Sequence, residues 1–417
     1  MRRYRHLLKI TALFLIISSI AFFAAAIIKG SLGNSNSYLP RIAFILLITA
    51  LTLAELLSIL DTEKGQESGD RLQSSSSRFF YISALNVLAA LFVVYLHTNG
   101  NAFFSTPRPK GRLWVTSNFI ETFCYWPVPI FIMISGATLM EYRQRYETKI
   151  FLEKRFTKTV IPYLAWSLFA CAFDVLTLDM EMNWNPVHII QNIFTSNYMP
   201  IYWYFPVQFA IYLSMPLLSA VQNKLKTFLF TIVIGIITIC WLPLTCSLLH
   251  INYNGALQLP VAGGYLIYTM LGYYLSRVQI GKRSRICIYL SGAAGWLLHF
   301  LGTIWISAGS DTLISTYKGY TNLPALLQAA AVFVFFRYLF MNRNLSEKFE
   351  KAVYSLANLT FGIYLIHKFL LDTIDARTSV NTNSIIWRLF APPIIFAVST
   401  GIIYLMKRIP GLKKLVP

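Results

Sequence analysis

Two polar residues interrupt an apolar run in this chain at a spacing that could do chemistry. In NVLAALFVVYLH, Asn86 and His97 stand eleven residues apart. On a helix that is about three turns, so both share a face, roughly 16 Å apart along the axis. An imidazole can take up or release a proton near neutral pH, and an amide can hydrogen-bond a carbonyl without carrying charge. Polar side chains inside a membrane helix are costly unless they line a cavity or meet a partner. The pair therefore predicts a polar path through a bilayer with a titratable ring at its far end.

Other residues could serve that ring. Glu121 precedes YWPVPIFIMISGATLM and has two readings: a carboxylate that orients an imidazole, or an interfacial carboxylate in water. In TFGIYLIH, Tyr364 and His367 are one turn apart, at a depth like that of His97. The stretch from Glu141 to Pro162 holds Arg143, Arg145, Lys149, Lys154, Arg155 and Lys158, the densest basic cluster of the chain. It fits a loop held on the cytoplasmic side by its charge, or a seat for a phosphorylated ligand. Trp203, like Trp126, lies in an aromatic stretch that suits a membrane interface or the ring face of a sugar.

These residues must be positioned by membrane helices. The chain has 417 residues, of which 56% are hydrophobic and 13% charged, about half the charge of a soluble protein. Apolar runs near the length of a bilayer crossing recur throughout. Twelve spans are predicted, at about 9–28, 41–60, 79–97, 120–141, 157–178, 201–221, 227–246, 259–276, 286–306, 321–341, 353–372 and 386–406. This is an all-α, polytopic membrane protein of about 12 transmembrane helices. With the N-terminus in the cytoplasm, the cytoplasmic segments hold 27 of the 36 Lys and Arg. That asymmetry follows the positive-inside rule, so the net charge of +19 reports topology and anionic lipid contact, not nucleic acid. Both termini are expected in the cytoplasm of a multi-pass protein of the cell membrane.

Three divisions are expected: a two-helix membrane hairpin over 1–60, a cytoplasmic linker over 61–78 and a ten-helix core with a short cytoplasmic tail over 79–417. The linker, DTEKGQESGDRLQSSSSR, is polar and rich in Ser and Gly. Arg2, Arg3, Arg5 and Lys9 before an apolar run resemble a signal peptide, but the run is long and a second span follows closely, which predicts retention. Five cysteines lie mostly in apolar runs without metal spacing, as small buried residues would. Pro127, Pro129 and Pro162 should bend their helices, and Ser135-Gly136-Ala137 should admit a close helix neighbour. Walker, HExxH and GxSxG motifs are absent, which argues against a nucleotide-driven pump or a membrane metalloprotease.

SALNVLAALFVVYLH, VPIFIMISG, KRFTKTVIPYLAW, WYFPVQFAIYLSMPLL and TFGIYLIH, in this order across residues 79–406, resemble the membrane acyltransferase type 3 family. That family transfers acyl groups, usually acetyl or succinyl, onto surface polysaccharides and related glycans of the cell envelope. Its first core helix carries an Arg and a His eleven positions apart. The His corresponds to His97, whereas Asn86 stands at the Arg position and Ser83 where an Asp is usual. A His that usually precedes the Trp of the fourth core helix is replaced by Ile201.

The resemblance implies an O-acyltransferase with acyl-CoA as donor, acetyl-CoA foremost, and no metal. The donor phosphates would meet Arg155, Lys158, Arg143 and Lys154, and the pantetheine arm would pass Asn86 to bring the thioester to His97. The ring would act as general base on a hydroxyl of a polysaccharide or glycan acceptor, or carry the acyl group itself. Glu121 or His367 would orient His97, Tyr364 or Asn86 would donate to the oxyanion, and Trp203 and Trp126 would contact the acceptor. The rival expectation is a non-enzymatic exporter of a glycan or small solute using the same polar path. Release of CoA thiol separates the two.

Overall fold

The computed structural model describes residues 2–28, 37–60, 75–104, 111–178, 183–341, 343 and 345–417. The predicted linker therefore lies outside the described residues from 61 to 74. Elements among the described residues are helices, joined by 3₁₀ and π turns. The first part of the chain forms α1 (Arg2–Ile28), α2 (Tyr38–Leu60), α3 (Ser75–Phe104), α4 (Gly111–Phe123) and α5 (Pro127–Leu139). The middle forms α6 (Thr148–Arg155), α7 (Ile161–Thr177), α8 (Pro186–Phe194), α9 (Tyr204–Val221), α10 (Leu225–Gly235) and α11 (Leu242–Leu248). Then come α12 (Leu266–Arg277), α13 (Lys282–Ser307), α14 (Leu323–Phe340), α15 (Glu347–Ala357), α16 (Thr360–Arg377) and α17 (Ile385–Met406).

Among the described residues, ten helical stretches are long and apolar enough to cross a membrane, and the protein is a polytopic all-α membrane protein. The two other predicted spans have identifiable reasons for falling short. The eighth opens on the 3₁₀ turn Pro260–Ala262 and a further turn at Gly263 and Gly264, leaving α12 with 12 residues, about 18 Å against a hydrocarbon core of ~30 Å. The eleventh is broken at Asn358 and Leu359, and α16, with 18 residues, ends in Lys368, Asp372, Asp375 and Arg377.

Prolines also set the local register. Pro162 and Pro243 lack the N–H that the carbonyl four residues back would accept. The chain answers each with a π turn just upstream, Phe156–Val160 and Ile236–Trp241, in which Ile161 donates to the Phe156 carbonyl and Leu242 to that of Ile237. Such turns are rare and often mark functional segments.

The chain forms two compact units. The first comprises Met1–Leu85, Ala102–Ala137 and Asn223–Asn344; the second comprises Asn86–Asn101, Thr138–Gln222 and Leu345–Pro417. In the first, α1 packs along α2, α2 on α13, and α13 on α14. Here α5 crosses α12 with backbones in contact: a Cβ on Gly136 would stand 1.9 Å from the Thr269 carbonyl oxygen, and one on Gly272 2.2 Å from that of Met133. This is the close approach expected of Ser135-Gly136-Ala137. In the second unit, α16 packs on α17 and α7. The C-terminal tail folds back there, with the Trp166 indole N–H donating to the Leu415 carbonyl at 3.0 Å.

Candidate active site

The second unit holds His97 on α3 and His367 on α16. Nδ1 of His97 lies 2.6 Å from Nε2 of His367, with the rings nearly parallel at 15° and centroids 4.9 Å apart. His367 is fully buried and His97 half-buried. Nδ1 of His367 lies 3.0 Å from the Ile363 carbonyl oxygen, one helical turn back.

These contacts assign the tautomers. A carbonyl can only accept, so Nδ1 of His367 carries the proton and Nε2 presents a lone pair. His97 must then donate from Nδ1, which leaves its Nε2 with the free lone pair. The helix backbone thus orients His367, His367 orients His97, and the half-buried ring of His97 ends the chain with a lone pair of the kind a base or nucleophile needs.

Tyr364 packs its ring 6.1 Å from that of His367, but its hydroxyl donates to the Ile201 carbonyl. The Tyr202 hydroxyl reciprocates by donating to the Leu365 carbonyl at 2.9 Å. Together they clamp the 3₁₀ turn Pro200–Trp203 to α16, which fixes the height of His367. Trp203 ends that turn half-buried, its ring 6.3 Å from Tyr204. Asn86 is half-buried on α3. Glu121 and Trp126 are buried in the first unit, not in the unit that holds the histidine pair.

The basic cluster also belongs to the second unit. Arg143 donates from Nε to Ser219 Oγ at 2.8 Å and from Nη2 to the Pro216 carbonyl at 3.2 Å. Lys154 places Nζ 4.1 Å from the Tyr146 ring centroid. Arg155 stacks between Phe151 and Tyr212, 5.7 and 5.8 Å from their centroids, and lines an apolar cavity of about 500 Å³ together with Phe156, Phe209 and Leu213. Lys158 is exposed on the π turn.

Sequence spacing missed several residues here. Lys407, just past α17, donates to the Asn358 carbonyl at 2.7 Å. Burial, with the positive charges of Lys413 and Lys158, holds its ammonium below the usual lysine range. The tail therefore adds Lys407 and Lys413 to the face that bears Lys158, from some 250 positions away. Lys368 pairs with Asp372 beside the histidine pair, and the buried Arg388 of α17 donates to Asn99 Oδ1 at 3.4 Å. No local motif announces these long-range pairings, apart from the turn-spaced Lys368 and Asp372.

No curated protein and no solved structure matches the chain. The acyltransferase domain of the type 3 family matches residues 79–407, a stretch that contains the histidine pair, the basic cluster and the clamped turn. The chain belongs to the type 3 acyltransferase family.

Proposed function

We propose that this membrane acyltransferase moves an acyl group, acetyl foremost, from cytoplasmic acyl-CoA to a hydroxyl of an extracytoplasmic polysaccharide or cell-wall glycan. The observation that carries the proposal is the directed chain from the Ile363 carbonyl through His367 to His97, which leaves Nε2 of His97 with an uncommitted lone pair. As the acceptor oxygen attacks the thioester carbonyl, Nε2 takes its proton. The tetrahedral intermediate expels CoA thiolate, and the imidazolium returns the proton to the sulfur. An acyl-imidazole formed at the same nitrogen is the two-step variant.

Donor phosphates would pair with Lys158, Arg155, Lys154 and Arg143, joined by Lys407 and Lys413, because clustered cations that repel one another gain most from a polyanion. Asn86 would hydrogen-bond the pantetheine arm or the oxyanion without fixed charge. Tyr364 would position His367, and Trp203 would meet the acceptor. The positive-inside bias supports a cell-membrane protein with both termini in the cytoplasm, and the catalytic core would begin near residue 79, after the hairpin and linker.

The test is thiol release from acetyl-CoA by purified full-length protein in nanodiscs, with a glycan acceptor present. Release that vanishes in His97→Ala at equal membrane insertion supports the proposal. Undiminished release in that variant overturns it.

A further inference from the structure

Within the second unit, the last turn of α6 and the π turn after it face α9 across a cavity of about 500 Å³, a volume typical of small-ligand sites. Phe156 and Val160 line one side, Phe209 and Leu213 the other. Phe156 is 56% exposed and Leu213 70%, so the cavity borders the surface of the protein.

That surface is one that lipid covers. Charges crowd the chain up to Lys158, and the stretch that follows, TVIPYLAWSLFACAF, carries none. Leu164 and Leu168 of α7 and Leu217 of α9 are exposed as well. Both walls therefore continue into faces that acyl chains, not water, would meet.

Two charges line this otherwise apolar space, Glu153 and Arg155. Residues two apart on a helix do not face each other. Among the described residues neither side chain has an ion-pair or hydrogen-bond partner, and the guanidinium, its Nε sealed, rests between the Phe151 and Tyr212 rings. The Thr157 hydroxyl, which also lines the cavity, is committed to the Glu153 carbonyl at 2.9 Å.

An occupant must be mainly apolar and carry both signs of charge next to its apolar part. CoA does not match: a long polar arm separates its phosphates from its acyl group, and the polar edge of adenine would go unsatisfied against these walls. A phospholipid matches, because glycerol joins its phosphate to its acyl chains. The lining also selects the headgroup. An anionic lipid would set a phosphate against Glu153 with nothing between, and choline has no N–H to donate. A primary ammonium donates to the carboxylate while the phosphate accepts from the guanidinium.

We infer that this cavity binds one phospholipid of the ethanolamine class, with an acyl chain along Phe156, Val160, Phe209 and Leu213, its phosphate on Arg155 and its ammonium on Glu153. The guanidinium has five N–H donors, enough to serve the lipid and a phosphate of the acyl donor together. The site goes beyond acyl transfer and stands whatever the role of His97.

The experiment is native mass spectrometry of the full-length protein, released from micelles that hold equimolar phosphatidylethanolamine, phosphatidylglycerol and phosphatidylcholine with identical chains. The parent and His97→Ala retain one phosphatidylethanolamine roughly fivefold more often than either competitor. Leu213→Trp, at an exposed position, fills the cavity and lowers that retention by roughly the same factor at an unchanged melting temperature. Should it not fold, Val160→Phe carries the same comparison. Glu153→Gln brings phosphatidylethanolamine down to the level of phosphatidylcholine. Equal retention of the three lipids overturns the inference, as does a preference for phosphatidylglycerol. Retention that survives the filled cavity, or a preference that survives Glu153→Gln, also overturns it. Loss of coenzyme A binding in Leu213→Trp, with lipid retention intact, would give the cavity to the donor instead.

Discussion

His97 and His367 stand 270 positions apart in the chain, and the fold brings Nδ1 of the first within 2.6 Å of Nε2 of the second. Because Ile363 holds the far nitrogen of His367, the proton positions run in one direction and end at the free nitrogen of His97. In the proposed reaction that nitrogen is the general base, a role that typically contributes about 10²- to 10⁴-fold in rate.

His97→Ala should lower acyl transfer by about 10³-fold without changing thermal stability by more than about 2 kcal/mol, since the ring is only half-buried. Single-turnover transfer measured beside a melting curve checks both. Full-rate transfer would remove His97 from the chemistry.

His367→Phe should cost about 10²-fold in kcat by freeing the tautomer and tilt of His97, whereas His367→Gln should recover part of it, its side-chain oxygen accepting from Nδ1 of His97. A pH–rate profile separates this positioning role from general destabilisation: it should change shape in His367→Phe and move back toward the parent in His367→Gln. Equal loss in both variants, with unchanged profiles, would contradict it.

Lys158→Ala with Lys407→Ala should raise the KM for acyl-CoA by roughly 10-fold, about 1.4 kcal/mol, while kcat stays within about twofold. The parent KM should climb with salt, and that of the double variant less steeply. A salt series of initial rates decides it.

Lys318 is held at about 8, below the ordinary value of 10.5, mainly by burial, with Glu121 pushing the other way. Below pH 8 the folded and unfolded chains are both protonated and the cost of the buried charge is full. Between about 8 and 10.5 the unfolded chain binds more protons, so stability should rise with pH. Melting temperatures across that window should climb in the parent and lose this component in Lys318→Met. Phe103, Tyr125, His299 and Glu121 surround the ammonium, and none of them is removed by that variant.

Gly136→Ala and Gly272→Ala should each destabilise by about 2 kcal/mol or more, because the added Cβ meets backbone rather than a side chain that could swing away. Gly401→Ala, where no atom lies within 4 Å of a Cβ, is the matched control. Detergent-solubilised yield and melting temperature read the difference.

Hydropathy alone determined that this chain is a bundle of membrane helices, because a bilayer demands runs of about 20 apolar residues whatever they pack against. Spacing also picked out Asn86 with His97 and Tyr364 with His367, since helix geometry is local. It overextended two spans, where Pro260 with Gly263 and Gly264, and the Asn358–Leu359 break, interrupt helices whose neighbours are apolar.

The sequence offered Glu121 and His367 as partners for His97, and tertiary structure decided for contact with His367, as it alone decided the tail's lysines beside Lys158 and the inward-pointing ammonium of Lys318. Each depends on which faces of distant helices meet, and side-chain identity does not encode a partner hundreds of positions away. Tyr364 makes the point at a single residue: position 364 announces a hydroxyl one turn from His367, but only packing reveals that the hydroxyl is spent on the Ile201 carbonyl.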